Sequence, residues 1–284
     1  MKPAPFRYHA PKTLDEAVAI LAEVAPEDGR VLAGGQSLVP TMAFRLARPA
    51  HLVDINGIKS LEKVALKGDG LSIGACVRHA AFHRPVADGP LGNLLSTVVR
   101  HIGHYPIRTR GTFCGSLAHA DPASEWCLVA ATLGAEIVAQ NARGKRTIAA
   151  KDFLTGAMST TLQDDELVVE ATLPALPADT RFGFCEFSRR AGDFAIAMAL
   201  ITYRLRDGRM HEVRIGVGGA EASPRRIAEA ESILEGKAPA DETFRAAADA
   251  AAAAVDPMED VNTTAAYRRD LVRALTRRAL ERAA

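Results

Sequence analysis

Two glycine-rich turns constrain this 284-residue chain more than any other feature: Ala33-Gly34-Gly35-Gln36-Ser37 and Gly111-Thr112-Phe113-Cys114-Gly115-Ser116. They lie roughly seventy-five residues apart, and each couples glycine to a hydroxyl residue. Glycine removes the Cβ that would block close approach and permits positive φ, so successive backbone N–H groups can converge on one anion. Serine or threonine adds a hydroxyl donor. A lone Gly-Gly pair is usually a tight turn. Two such turns in separate segments point instead to a nucleotide whose diphosphate is held between them. Gly216-Val217-Gly218-Gly219 differs: it ends a strand and reads as close packing.

The segments around the turns read as an α+β chain. Thr13 and Glu16 form a capping box in which Glu16 reaches back to the Thr13 N–H, and Leu14, Ala17, Val18 and Leu21 recur at helical spacing over 14–24. Arg30 to Leu32 forms a strand feeding the first turn. Ser37 caps a short helix through about Arg45, and 51–55 is the next strand. In the middle third, 70–75 is a strand, 78–84 and 90–102 are helices, and the second glycine turn follows. A helix over 123–133 leads to a strand at 135–139 and a hairpin at Asn141-Ala142-Arg143-Gly144. Residues 167–173 form another strand. Pro174-Ala175-Leu176-Pro177 breaks any continuing element. Beyond it the pattern predicts a helical stretch near 193–200, strands at 200–206 and 211–217 joined by Asp207-Gly208, and alanine-rich helices at 227–235, 241–254 and 263–282. The domains expected are 1–58, 59–174 and 178–284.

Composition narrows the function. A net charge of +1 lacks the basic surplus that nucleic-acid binding calls for. No run approaches the roughly twenty apolar residues of a membrane span. The N-terminal residues lack the apolar core of a signal peptide, so a cytoplasmic location is expected. Cys76, Cys114, Cys127 and Cys185 match no iron–sulfur or zinc spacing, so no metal site is expected in this chain. His79 and His83, four apart, have no third ligand and read as solvent-facing. His101 and His104 border the nucleotide pocket as structural or lining groups. His119 and Asp121 shape the second turn and its helix cap. Trp126 reads as core or subunit interface. Arg268, Arg269, Arg273, Arg277, Arg278 and Arg282 read as a solvated basic face on the last helix, with subunit docking the next reading.

The motifs resemble those of one family. Ala33 to Pro40 is similar to the first FAD signature of the flavoprotein (medium) subunits of molybdenum hydroxylases, such as carbon monoxide and xanthine dehydrogenases. Ile107 to Pro122 resembles their second signature, Ser188 to Ala195 a third shared segment, and Tyr267-Arg268-Arg269-Asp270-Leu271 their last helix. The resemblance runs along essentially the whole chain, in order. It implies a two-subdomain FAD-binding fold of the vanillyl-alcohol-oxidase/PCMH type followed by a C-terminal α+β domain. The chain departs from the family pattern in carrying Thr109 where asparagine is common and Cys114 where glycine is common. It also lacks the lysine that some members have near Cys185.

By that resemblance, Ala33, Gly34, Gly35, Gln36, Ser37 and Leu38 would bind the FAD diphosphate. Gly111, Thr112, Cys114, Gly115 and Ser116 would approach it from the second subdomain. Ile102 would lie near the isoalloxazine, Glu125 near a sugar hydroxyl, and Leu167 or Val168 near the adenine or ring edge. Phe194 is a candidate to pack near the flavin. Arg108 and Arg110 precede the second turn, but no lysine lies within it, so backbone N–H groups do most of the phosphate work. Cys114 reads as a small buried side chain beside the FAD rather than a redox thiol. The family implies no catalytic nucleophile here. It implies a molybdopterin-binding large subunit and a small subunit with two-iron two-sulfur clusters, arranged as a dimer of heterotrimers (a heterohexamer). Electrons would then pass through FAD to NAD, a quinone or oxygen. Two other classes stay open on the residues: a self-contained FAD-dependent oxidoreductase acting on a small substrate or NADH, and a non-catalytic flavin-binding or assembly protein.

Overall fold

The structure is a computed structural model describing residues 1–261 and 263–284. Its first sheet is parallel. β1 (Arg7–His9) leads through α1 (Leu14–Val24) to β2 (Gly29–Leu32), and α2 (Leu38–Ala43) carries the chain on to β3 (His51–Asp54), in the order β1-β3-β2. Parallel neighbours need crossovers, and the two helices supply them. α1 buries Ala17, Val18, Leu21 and Val24 at the predicted spacing. Thr13 Oγ1 accepts the Glu16 N–H at 3.2 Å, but the Glu16 carboxylate accepts from the Lys12 N–H at 2.7 Å, one residue upstream of the expected partner. Ser37 precedes α2 without a side-chain cap bond.

The second sheet is antiparallel, in the order β4-β5-β10-β6-β7. Its edge pair is β4 (Val64–Lys67) and β5 (Gly70–Gly74). Four helices follow: α3 (Gly89–Val98), α4 (Tyr105–Arg108), α5 (Phe113–His119) and α6 (Glu125–Leu133). The chain returns as β6 (Glu136–Asn141) and β7 (Gly144–Ala149), then one turn of helix, α7 (Ala150–Phe153), and a small hairpin, β8 (Leu154–Gly156) with β9 (Ser159–Thr160). The central strand β10 (Leu167–Pro174) completes it, with a register shift between Val168 and Glu170. Residues 79–83 form a 3-10 turn where an α-helix was expected, and α3 stops at Val98 rather than 102. Trp126 is core: it is fully buried against Phe82 and Phe113, with ring centroids 5.2 and 5.0 Å away.

The third sheet, β11 (Thr180–Phe187), β12 (Ala197–Arg206), β13 (Arg209–Gly218) and β14 (Arg225–Arg226), is antiparallel in chain order. The helix expected near 193–200 is absent; Ala197 begins β12 instead. Residues 197–203 are buried on both faces, so the run carries no period-2 signal, and its Ala and Met content mimics a helix former. α6 packs on one face of this sheet: a Cβ on Gly216 would lie 1.8 Å from Thr132 Oγ1, so the glycine run there is close packing as expected. α8 (Ala228–Leu234), α9 (Asp241–Ala254) and α10 (Ala265–Ala283) complete the chain, and α10 crosses the sheet so closely that a Cβ on Gly183 would meet the Ala279 carbonyl at 1.8 Å. Every residue of α6 is buried because the helix lies between the second and third sheets.

The basic face expected on α10 is only partly solvated. Arg268 is buried and donates to the Gly219 and Ile196 carbonyls at 2.6 and 3.0 Å. Arg273 and Arg277 pair with Asp249 and Asp241 on α9. No helix among the described residues is long and apolar enough to cross a membrane.

Candidate functional site

β2 runs directly into the first glycine turn, at the carboxyl end of a parallel sheet, where open α/β sheets take their ligands. The second turn starts α5. Between them lies a cavity of about 970 Å³, at the upper end of the roughly 300–1,000 Å³ range of ligand sites. All sixteen residues nominated from the sequence line it, from Ala33 to Phe194.

The two turns touch backbone to backbone. A Cβ on Gly34 would lie 2.5 Å from the Arg110 carbonyl oxygen and 2.6 Å from Gly111 Cα. Gly35 has a φ of 71°, which lets the chain reverse into α2. The backbone N–H groups of residues 34–38 have no acceptor among the described residues. The same holds for the Thr112 and Cys114 N–H groups, whereas the Gly115 N–H is taken by Thr112 Oγ1 at 3.0 Å. Backbone donors are normally paired when they are not in water. Unpaired backbone donors in two turns that line one cavity are complementary to an anion with several oxygens. The Ser37 hydroxyl, uncommitted to α2, adds to that wall.

Two residues not nominated from the sequence fix the spacing of the turns. Asn56 Nδ2 donates to the Ala33 carbonyl at 2.8 Å, and its Oδ1 accepts from Arg78 at 2.5 Å. Arg78 also donates to the Arg110 carbonyl. One guanidinium and one amide therefore tie the first turn to the second. Arg108 is spent as well: it donates to the Ile102 and Gly103 carbonyls at 2.9 and 2.8 Å and to His83 at 3.0 Å. Both arginines are thus engaged with protein carbonyls and side chains. An Asn after a short strand and an Arg between two turns carry no local signal. Only the fold brings them together.

The ionisable groups divide clearly. The Cys114 thiol is buried against the Ile73 carbonyl, 3.5 Å away, and burial pushes its pKa far up. Glu125, at the first position of α6, is buried; desolvation raises its carboxyl to about 7, and Asp121 adds repulsion. Glu186 of β11 is raised to about 9 by burial and by the charge of Glu125. His101 lies 3.7 Å from Glu186 and packs edge-on to Phe184. His101 and His104 do not line the cavity; Ile102 and Gly103 between them do, and His104 fills the space beside Gly192. Asp121 shapes the turn as expected, accepting the Ala123 N–H at 2.8 Å. Phe194 stands at the mouth, 75% exposed.

The largest correction concerns His79. The sequence placed it on a solvent face, but it is 4% exposed, lines the cavity, and accepts a hydrogen bond from Trp126 Nε1 at 2.9 Å. Burial, with repulsion from Arg108 and Arg78, lowers its pKa to about 3. His83 is half-buried under Arg108. What the arrangement can do is hold a phosphate-bearing ligand in a largely apolar slot.

Comparison with known proteins agrees with that geometry. A family model described as "FAD binding domain in molybdopterin dehydrogenase" matches residues 4–176, and one described as "CO dehydrogenase flavoprotein C-terminal domain" matches residues 182–283. The nicotine 6-hydroxylase medium subunit of Paenarthrobacter nicotinovorans is 37% identical, over 99% of this chain and 98% of that protein. Among solved structures, a carbon monoxide dehydrogenase from Hydrogenophaga pseudoflava, lacking the Mo-pyranopterin moiety of its cofactor, contains a chain that superposes with a TM-score of 0.95. That chain is 35% identical, with 100% of this chain and 98% of that one covered. Quinoline 2-oxidoreductase from Pseudomonas putida 86 contains one that superposes at 0.93, also 35% identical and with the same coverage.

Proposed function

Because the chain belongs to the FAD-binding flavoprotein family of the molybdopterin dehydrogenases, we propose that it is the medium subunit of a molybdenum hydroxylase and an electron-transfer component rather than the site of substrate oxidation. The observation that carries the reading is the row of unpaired N–H groups at 34–38 set against those of Thr112 and Cys114 across one cavity. When bound, FAD would supply the redox chemistry between two-iron two-sulfur clusters of a small subunit and a terminal acceptor.

The chain's own task is to hold and orient that cofactor. The first turn and Ser37 bind the diphosphate from one side; Thr112, Cys114 and Ser116 bind it from the other. Asn56 and Arg78 keep the two turns at the required separation. Glu125, retaining its proton above the ordinary carboxylate range, can donate to a sugar hydroxyl as well as accept from one. Leu167 and Val168 border the cavity beside the β10 register shift, where the irregular strand re-aims side chains. Ile102 lines an apolar wall for the flavin ring, and Phe194 closes the mouth. In this reading residues 1–58 and 59–174 are the two FAD-binding subdomains and 178–284 the C-terminal domain. The partners are a molybdopterin-binding large subunit and the iron–sulfur small subunit, in a cytoplasmic dimer of heterotrimers whose acceptor is NAD, a quinone or oxygen.

The test is purification of the tagged chain from its own host with whatever accompanies it. A flavin spectrum with broad iron–sulfur absorbance and two further polypeptides supports the reading. A lone yellow chain reduced directly by a small substrate or NADH replaces it with a self-contained oxidoreductase.

A further inference from the structure

We propose that His79 is a neutral hydrogen-bond donor to the diphosphate of the bound dinucleotide, presenting its Nε2–H at the second glycine turn. The proposal rests on the reading of the cavity as an FAD site.

The tautomer follows from the neighbours. Indole N–H is only a donor, so the Nδ1 that receives it from Trp126 at 2.9 Å carries no proton. The ring is neutral at physiological pH, because burial disfavours its charged form and Arg108 and Arg78 repel a second proton. A neutral imidazole with a bare Nδ1 holds its one proton on Nε2. That Nε2 has no partner among the described residues, although the side chain is more than nine-tenths buried and lines the cavity. It lies against Gly111: a Cβ there would sit 2.5 Å from Nε2 and 2.6 Å from Cδ2. Glycine at 111 thus leaves the space that the imidazole edge occupies. The backbone clamps the same junction, with the His79 N–H on the Gly111 carbonyl at 2.9 Å.

Gly111 is also where the first turn makes contact, through Gly34. His79 therefore sits at the seam where the two turns that line the cavity meet. Arg78 and Arg108, on either side, are committed to carbonyl oxygens and to other side chains. An uncharged donor pre-oriented by Trp126 is what this seam offers a phosphate oxygen.

The experiment uses the full chain freed of flavin, with ¹⁵N-labelled histidine. NMR should show the Nε2-protonated tautomer, and the Nε2–H resonance should move downfield with FAD and with ADP but not with riboflavin, which has no phosphate. His79→Phe, which keeps an aromatic ring of somewhat larger size but has no N–H, should bind FAD and ADP about tenfold or more weakly, the effect of one hydrogen bond to a charged oxygen. His79→Gln, which can place an amide N–H near the Nε2 position, should recover part of that loss. An Nδ1-protonated ring, or a resonance unmoved by FAD, overturns the proposal even if His79→Phe fails to fold. So does a folded His79→Phe that binds FAD within twofold of wild type. A wild-type chain that binds no FAD overturns the functional reading and this proposal with it.

Discussion

Gly34→Ala isolates the spacing between the two glycine turns. Gly34 does not have positive φ, so alanine brings no backbone strain there, in contrast to Gly35 at φ 71°. The new methyl would lie 2.5 Å from the Arg110 carbonyl oxygen, about 0.9 Å short of the 3.4 Å at which ordinary contact begins. Backbone stands on both sides, so no side chain can rotate away. The turns must separate by most of that shortfall. Useful N–H···O distances span only about 0.5 Å, so donors on the two walls can no longer grip one diphosphate. Losing one or two hydrogen bonds to charged oxygens, at about 1.5–3 kcal/mol each, weakens FAD binding roughly 100-fold. Overpacking the seam costs about 1–3 kcal/mol of stability as well. Flavin fluorescence quenching on titration, paired with thermal melts, reads both effects. Gly156→Ala is the control, because its Cβ meets only Ser159 Cβ at 3.9 Å. If Gly34→Ala binds FAD within threefold of wild type and melts at the same temperature, the two-walled grip is wrong.

Other substitutions probe the tie between the turns, the buried carboxyl groups and the packing of α10. Asn56→Ala removes the donor to the Ala33 carbonyl and an acceptor from Arg78, and should cost about 1–3 kcal/mol of stability with weaker FAD binding; unchanged melting and affinity would show that the tie is idle. Glu125 and Glu186 keep their protons in the folded chain above the ordinary carboxylate range, whereas the unfolded chain releases them earlier. The folded state then binds more protons, so stability should fall as pH rises from about 5 to about 9, and Glu186→Gln should flatten that slope; melts of the two proteins that stay parallel would refute the assignment. Gly183→Ala would place a methyl 1.8 Å from the Ala279 carbonyl. It should destabilise the chain by about 3 kcal/mol or more while the folded fraction still binds FAD normally. A urea midpoint equal to wild type would mean that α10 does not sit so close to the third sheet.

Both glycine turns were legible as turns because their pattern is local: glycine and a hydroxyl residue stand within five residues of each other. The Thr13 cap was legible for the same reason, although its Glu16 partner found the Lys12 N–H instead. β12 was not, because a strand buried on both faces loses the alternation that identifies strands, and its alanines and methionine favour helix when read alone. His79 was misread because its spacing to His83 suggested one exposed face, while the residue that decides its state, Trp126, lies 47 positions away. The Asn56–Arg78 tie depends likewise on partners that only the packed sheets bring together. What a short window could state, it stated; what required two distant segments to meet was left to the fold.

The backbone N–H groups of residues 34–38, with those of Thr112 and Cys114, are the donors proposed to hold the cofactor's diphosphate. Amide hydrogen exchange of the full chain, with and without FAD, addresses those donors directly. Exchange should be rapid at residues 34–38 in the flavin-free chain, because they have no acceptor, and strongly slowed there and at 112 and 114 once FAD is bound. Exchange at those amides that stays equally rapid while FAD is demonstrably bound would show that the diphosphate is held elsewhere.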